Sequence, residues 1–297
     1  MLRKKSAHAV WLLFLAGAAW ADQPREWLER MSHGHREVSY QGIVSHQVED
    51  RLTSYKVIHQ VHDGREFELL QPLDTADKQL VRKGHSIHCV HPAERLLRGS
   101  EPTLSRHYDL TMGDNGWVAG REVVTVNVVP RDVFRLGYRL SLDLVTGVPL
   151  KTETLDQQDR VLERFQFMMF DTTEQGQLID SQAREVSHRE PASAADRALL
   201  LAKMPWKPGW IPDGFTLAEP GEGANDALSF TDGISTFSVF LEPVSQFDDS
   251  PLAAAMRSGA TVSYTYPLPD ADFVATVIGE VPLLTAEQVA KSLVISP

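Results

Sequence analysis

The sequence predicts an α+β protein made of two antiparallel-sheet domains, and three observations carry that prediction. Apolar residues recur at every second position through most of residues 38–170 and again through 228–279, the period of strands with one buried face. A polar stretch, residues 171–203, divides these regions and leads into WKPGWIPDGF, residues 206–215. That segment has too many prolines and glycines for a helix or a central strand, and its aromatics need a surface to pack on. Helical periodicity is confined to short segments outside the strand runs, and a length of 297 residues suits two domains. The boundaries read as a leader over 1–21, a first domain over 22–175, a connector over 176–204 and a second domain over 205–297.

The leader has a basic start at Arg3, Lys4 and Lys5, an apolar run over 9–19, and Ala19-Trp20-Ala21 as a small-x-small cleavage signal. The apolar run is far shorter than the roughly 20 residues of a spanning helix. Export to the periplasm with cleavage after Ala21 follows. With no cysteine there to accept a lipid, direct membrane insertion is not expected. Loss of the three leading basic residues takes the formal charge from −11 to −14. Such a surface repels phosphate backbones and argues against nucleic acid as a partner. The single cysteine, Cys89, excludes an internal disulfide.

Residues 24–34 predict a short helix, opened by Pro24, with Trp27, Leu28 and Met31 on one face and Gly34 as a stop. Alternation then takes over: Val38/Tyr40, Tyr55/Val57/His59/Val61 and Phe67/Leu69, with turns at Asp50 and Asp63-Gly64. A strand pair folded at Lys83-Gly84 is expected over 79–92, and an irregular stretch over 93–115. The strongest strands follow at 122–129, 138–144 and 162–170, placing Val124/Val126/Val128, Tyr138/Leu140/Leu142 and Phe165/Phe167/Met169 on one apolar face. Between the last two, Asp143 precedes a turn at Gly147 and Pro149 opens a strand.

Within the connector, Ser193 and Asp196 suggest a short capped helix. The second domain reads as strands around Asp232-Gly233, a further pair at 260–266 and 273–279, and a last helix through Leu293 capped by Thr285 with Gln288.

Catalytic signatures are missing. The chain contains no G-x-S-x-G, S-x-x-K, H-E-x-x-H, Walker or dinucleotide-binding motif. No catalytic residue, cofactor or enzyme activity is expected. His85, His88, Cys89 and His91 invite a metal reading, but on a strand His85, Cys89 and His91 share one face and His88 the other. They read as ordinary strand residues, with no metal. The extensive apolar face has two readings, a cavity for an acyl chain or apolar peptide, and a sheet covered by its own helices.

Five segments together resemble the RseB/MucB family of periplasmic negative regulators of the envelope-stress sigma factor. They are WLERMSHGHREVSYQGIVSH (27–46), DLVTGVPLKTETLD (143–156), WKPGWIPDGF, SFTDGISTFSVFLE (229–242) and VIGEVPLLTAEQVAKSL (277–293). The resemblance covers essentially the whole chain after the leader. It implies an N-terminal LolA/LolB-like antiparallel half-barrel with covering helices and a smaller C-terminal α+β domain. It also implies binding of the periplasmic domain of an RseA- or MucA-like anti-sigma factor, protection of that factor from site-1 proteolysis, and release by lipopolysaccharide or another acyl-chain ligand. Lipid-binding candidates are Val124, Val126, Val128, Tyr138, Leu140, Leu142, Phe165 and Phe167. Partner-binding candidates are Trp206, Trp210, Phe215 and Phe237. A periplasmic lipoprotein or lipid carrier is the alternative, for which the first domain alone would suffice. Intact-mass measurement on the periplasmic fraction should give a chain beginning at Asp22, and a retained leader or an added acyl mass would refute the export reading.

Overall fold

The computed structural model describes residues 23–62, 65–74, 80–83, 101–172, 204–218, 227–246, 253–269 and 271–295. The leader, the His85–His91 cluster and nearly all of the connector, including the segment at Ser193 and Asp196, lie outside them.

The N-terminal domain starts with helix α1 (Gln23–Glu37) and strands β1 (Tyr40–Val48), β2 (Arg51–His62), β3 (Arg65–Pro72) and β4 (Leu80–Lys83). Helix α2 (Glu101–His107) runs directly into β5 (Tyr108–Met112), followed by β6 (Gly116–Val118), β7 (Arg121–Pro130), β8 (Gly137–Asp143), β9 (Pro149–Leu155) and β10 (Val161–Asp171). All ten strands form one antiparallel sheet in the order β4-β3-β2-β1-β10-β9-β8-β7-β5, with β6 paired to β7. The chain therefore returns through β10 to pair with β1 at the centre of the sheet. Helix α2 and strand β5 fall in the stretch read as irregular from sequence. Tyr108, Leu110 and Met112 do alternate there, but over only five residues, too short a run to stand out against the neighbouring glycines.

Helix α1 continues past Gly34, which does not terminate it. The glycine serves close approach instead: a Cβ at 34 would collide with Thr146 O on the β8–β9 turn, and one at Gly147 would stand 2.7 Å from Arg30 O. Gly147 also has φ +76, a conformation that disfavours other residues. Asp143 builds this turn by accepting from Thr146 N and Oγ1 at 2.8 Å each and pairing with Arg121 at 2.6 Å. Burial alone would raise its pKa, yet the Arg121 and Thr146 bonds outweigh burial and hold the carboxyl below its ordinary range.

The single apolar face expected from alternation divides into two clusters. Leu28, Met31, Tyr108, Val126, Val128, Tyr138, Leu140 and Leu142 form one. Tyr40, Val44, Val57, Leu70, Val118, Val123, Val148, Leu150, Phe165 and Phe167 form the other. Alternation also fails at the end of β10, where the pairing with β1 shifts register between Ile43 and Val44. The extra residue inverts the phase of the strand. Met169 is consequently 63% exposed, and Phe170 takes the inward place beside the rings of Tyr40 and Phe167.

The C-terminal domain comprises β11 (Trp206–Pro208), β12 (Thr216–Leu217), β13 (Ala227–Thr231), β14 (Thr236–Pro243), a 3-10 turn at Val244–Gln246, β15 (Ala254–Ser258), β16 (Thr261–Pro267), β17 (Phe273–Gly279), α3 (Leu283–Lys291) and β18 (Leu293–Ile295). Six strands form a sheet ordered β12-β13-β14-β17-β16-β15, and β11 pairs with β18 apart from it. Ala286, Val289 and Ala290 of α3 close the core with Phe230, Phe237, Val262 and Val277. Thr285 does not cap this helix, whose N-cap is Pro282, and Leu293 belongs to β18. Both differences follow from contacts distant in sequence, β18 with β11 and Thr285 with the other domain.

Gly34→Ala should lower the unfolding free energy in urea by about 2–3 kcal/mol, because its Cβ meets backbone that cannot rotate away. Gly116→Ala, whose Cβ meets nothing within 4 Å, should stay within about 0.5 kcal/mol of wild type.

Candidate functional site

The residues with the most unusual environments meet where the two domains touch. From the N-terminal domain come the β7–β8 loop, residues 131–136, and the α2–β5 junction at His107 and Tyr108. From the C-terminal domain come residues 210–215, the β13–β14 turn and the start of α3.

The β13–β14 turn is built by its own polar side chains. Asp232 Oδ1 accepts the amide hydrogens of Ile234 and Ser235 at 2.9 and 2.8 Å. Thr231 Oγ1 accepts from Gly233 N at 3.0 Å and donates to Ser235 O at 2.8 Å. Gly233 adopts φ +97, which a residue with a Cβ resists. This rigid turn carries Ile234 out of its own domain and into the first apolar cluster, beside Leu28, Met31, Tyr108, Val126, Val128, Tyr138, Leu140 and Leu142. Ile234 is 1% exposed.

Beside it lies a buried ion pair. Arg135, 0% exposed, donates from Nε to Asp232 Oδ2 at 2.7 Å. Its Nη1 donates to Asp132 Oδ2 and its Nη2 to the backbone oxygen of Asp213. The guanidinium lies 5.0 Å from the centre of the Phe215 ring, a cation–π contact. Tyr108 Oη donates to the same Asp232 oxygen at 3.0 Å. Burial, and then the Asp232 charge, push the Tyr108 pKa well up, so it remains a donor. The Asp232 carboxylate thus serves its own turn through one oxygen and the other domain through the second.

Two further contacts complete the seam. Thr285 Oγ1 donates to Phe134 O at 2.9 Å, and the Phe134 ring meets Trp210 edge-on at 5.1 Å. His107 packs against Gly214, where a Cβ would collide with its Nε2. Burial, followed by the Arg135 charge, lowers the His107 pKa, against a weaker upward pull from Asp213, Asp232 and Asp132. At the far end, the β15–β16 tip reaches the N-terminal sheet: a Cβ at Gly259 would lie 2.8 Å from Val48 Cγ1.

The structure buries all eight lipid-binding candidates but divides them. Val126, Val128, Tyr138, Leu140 and Leu142 share a cluster with Ile234, Phe165 and Phe167 join the second cluster, and Val124 is buried in neither. Of the partner-binding candidates, Trp206, Phe215 and Phe237 are core residues of the C-terminal domain, and half-buried Trp210 reaches the N-terminal domain through Phe134. Sequence reasoning passed over Arg135, Ile234 and His107 and read Asp232 only as a turn residue. The one available signal was Ile234 itself, a large apolar residue in a polar turn at a position that normally faces water.

A family model described as the MucB/RseB N-terminal domain matches residues 23–190, and one described as the MucB/RseB C-terminal domain matches residues 201–294. The chain is 31% identical to the sigma factor AlgU regulatory protein MucB of Pseudomonas aeruginosa, over 95% of this chain and 94% of that protein. It is 22% identical to the sigma-E factor regulatory protein RseB of Escherichia coli K12, over 95% and 94%. Among solved structures, the complex of Pseudomonas aeruginosa MucA and MucB matches with a TM-score of 0.73 at 30% identity, over 93% of this chain and 99% of that one. A crystal structure of MucB matches with a TM-score of 0.64 at the same identity, over 93% and 98%.

The buried histidine sets a pH dependence. With its folded pKa below the ordinary 6.5, the neutral form is favoured on folding, so stability is fully present above 6.5 and is lost as pH falls from there through the lowered folded value. Urea unfolding at pH 7.5 and 5.5 should show wild type losing stability that His107→Gln does not lose; parallel losses would refute this role.

Proposed function

Because the chain belongs to the MucB/RseB family across both of its domains, we propose that it is a periplasmic binding regulator of an envelope-stress sigma factor. It holds the periplasmic domain of a single-pass anti-sigma factor of the RseA/MucA kind. It shields that domain from site-1 proteolysis and releases it when lipopolysaccharide or mislocalised acyl lipid binds. Sigma factor activity, and exopolysaccharide production where it is under that control, are thereby held down.

The observation that carries this reading is the seam. A regulator that answers one ligand by dropping another needs two arrangements of its parts, with the ligands preferring different ones. Here two sheet domains meet through a buried ion pair and an inserted side chain, contacts that form or break together. The chain as a whole superposes more closely on MucB in the MucA/MucB complex, with a TM-score of 0.73, than on the crystal structure of MucB, with 0.64. That supports this closed form as the partner-holding one. Within it, the C-terminal domain and the seam hold the anti-sigma factor, whereas an acyl ligand favours the other arrangement, in which Ile234 has left the N-terminal apolar cluster of Val126, Val128, Tyr138, Leu140 and Leu142.

Mature protein used as bait in envelope extract should capture a single-pass anti-sigma factor, which purified lipopolysaccharide then elutes; capture of many lipoproteins instead would favour a carrier. In calorimetry, Trp210→Ala should weaken binding of the captured factor's periplasmic domain by about tenfold or more, as expected of an aromatic anchor. Trp117→Ala, at a 73% exposed residue of β6, should stay within about twofold.

A further inference from the structure

We propose that the β13–β14 turn is a built-in mimic of the ligand: Asp232 and Ile234 occupy the places of the anionic head and the aliphatic chain of an amphiphile, which binds by displacing them. The inference deepens the proposed function and rests on its acyl-ligand reading.

Among the described residues, Ile234 is the only member of its cluster that comes from the C-terminal domain. Its socket is aliphatic, lined by Leu28, Met31, Val126, Val128, Leu140 and Leu142, with Tyr108 and Tyr138 beside them. Such a lining recognises methyl and methylene groups by packing alone, without a polar feature specific to isoleucine. An acyl chain that buries about four methylenes matches one buried isoleucine side chain, and longer chains exceed it.

The head-group place is as well defined. Asp232 Oδ2 receives Arg135 Nε at 2.7 Å and Tyr108 Oη at 3.0 Å, two donors of the N-terminal domain aimed at one anionic oxygen. When the turn leaves, both donors lose their acceptor. Arg135 Nη1 keeps Asp132, but Nε and the Tyr108 hydroxyl are left converging on a place without an acceptor, and such a pair of donors, one of them cationic, favours a carboxylate or phosphate over a neutral head group. The turn leaves as a unit because its internal bonds, through Asp232 Oδ1 and Thr231 Oγ1, do not depend on the other domain. Chain entry and separation of the ion pair are therefore the same event. The amphiphile binds only the open arrangement, which gives the differential affinity that a population shift requires.

The test uses full-length mature protein carrying Ile234→Cys and Cys89→Ala, so that the only thiol sits at the tip of the turn. Maleimide should label it slowly, and dodecanoate or dodecyl phosphate below the critical micelle concentration should accelerate labelling by about tenfold or more, in proportion to the open population. Dodecanol at the same concentration should accelerate it far less. A Val262→Cys, Cys89→Ala protein, with its thiol in the core of the C-terminal domain, should remain slow throughout, which separates opening from unfolding. Asp232→Asn, which keeps an acceptor oxygen for the turn but removes the charge, should bind a dansylated fatty acid more tightly than wild type and lose affinity when Arg135→Gln is added. Amphiphile binding that leaves the labelling rate of the turn-tip thiol unchanged would overturn the proposal. So would equal effects of dodecanol and dodecanoate, or no binding of either anion. A carboxylate response without a phosphate response would identify a free fatty acid as the ligand; the reverse would identify a phosphorylated lipid. If the turn-tip thiol becomes exposed while the anti-sigma factor stays bound, the plug stands and the release mechanism fails.

Discussion

Arg135 and Asp232 are both withdrawn from water, and the Asp232 charge is sustained there by Arg135, whose own charge it shares with Asp132. Removing one partner from a buried pair costs about 3–5 kcal/mol, even though the intact pair adds little over an apolar contact of the same shape. That asymmetry makes the seam selective for one arrangement and abrupt in its loss. The pair is enclosed by elements that serve other purposes. The β7–β8 loop brings Arg135, the turn that closes β13 and β14 brings Asp232, and the tryptophan-rich segment supplies Phe215 and the Asp213 carbonyl. Each of these folds with its own domain, and the pair forms only when both domains are complete.

The N-terminal sheet shares parts in the same way. Asp143 sits at the end of β8 and joins Arg121 at the start of β7 to the turn that α1 packs against, through Gly34 and Gly147. Helix α1 in turn supplies Leu28 and Met31 to the cluster that receives Ile234. The socket is thus held by a covering helix whose position depends on two glycines and one carboxylate, Gly34, Gly147 and Asp143, none of which belongs to the seam.

Strand periodicity, the two-domain division and the family motifs were all legible in the sequence because each is local. An apolar side chain every second residue declares a half-buried strand whatever it pairs with, and Asp232-Gly233 declares a turn. The buried state of Val126, Leu140 and Phe167 follows from the same pattern. What the pattern could not supply was which strand neighbours which. The division of one apolar face into two clusters and the phase inversion at Met169 both depend on the β10–β1 pairing, between residues more than a hundred apart.

The site was decided almost wholly by tertiary structure. Nothing in the local sequence distinguishes Arg135 from Arg131 or Arg139, which keep exposed or partly exposed carboxylate pairs on the N-terminal domain alone. Thr285 looks like a helix cap by spacing and instead donates its hydroxyl to Phe134 of the other domain. By itself the sequence determined the elements, their amphipathic faces and the kinship of the chain. The docking of one domain on the other decided which charge lost its water and which apolar side chain left its own core. Solvent exclusion is a property of surfaces brought together, and no spacing along a chain encodes it.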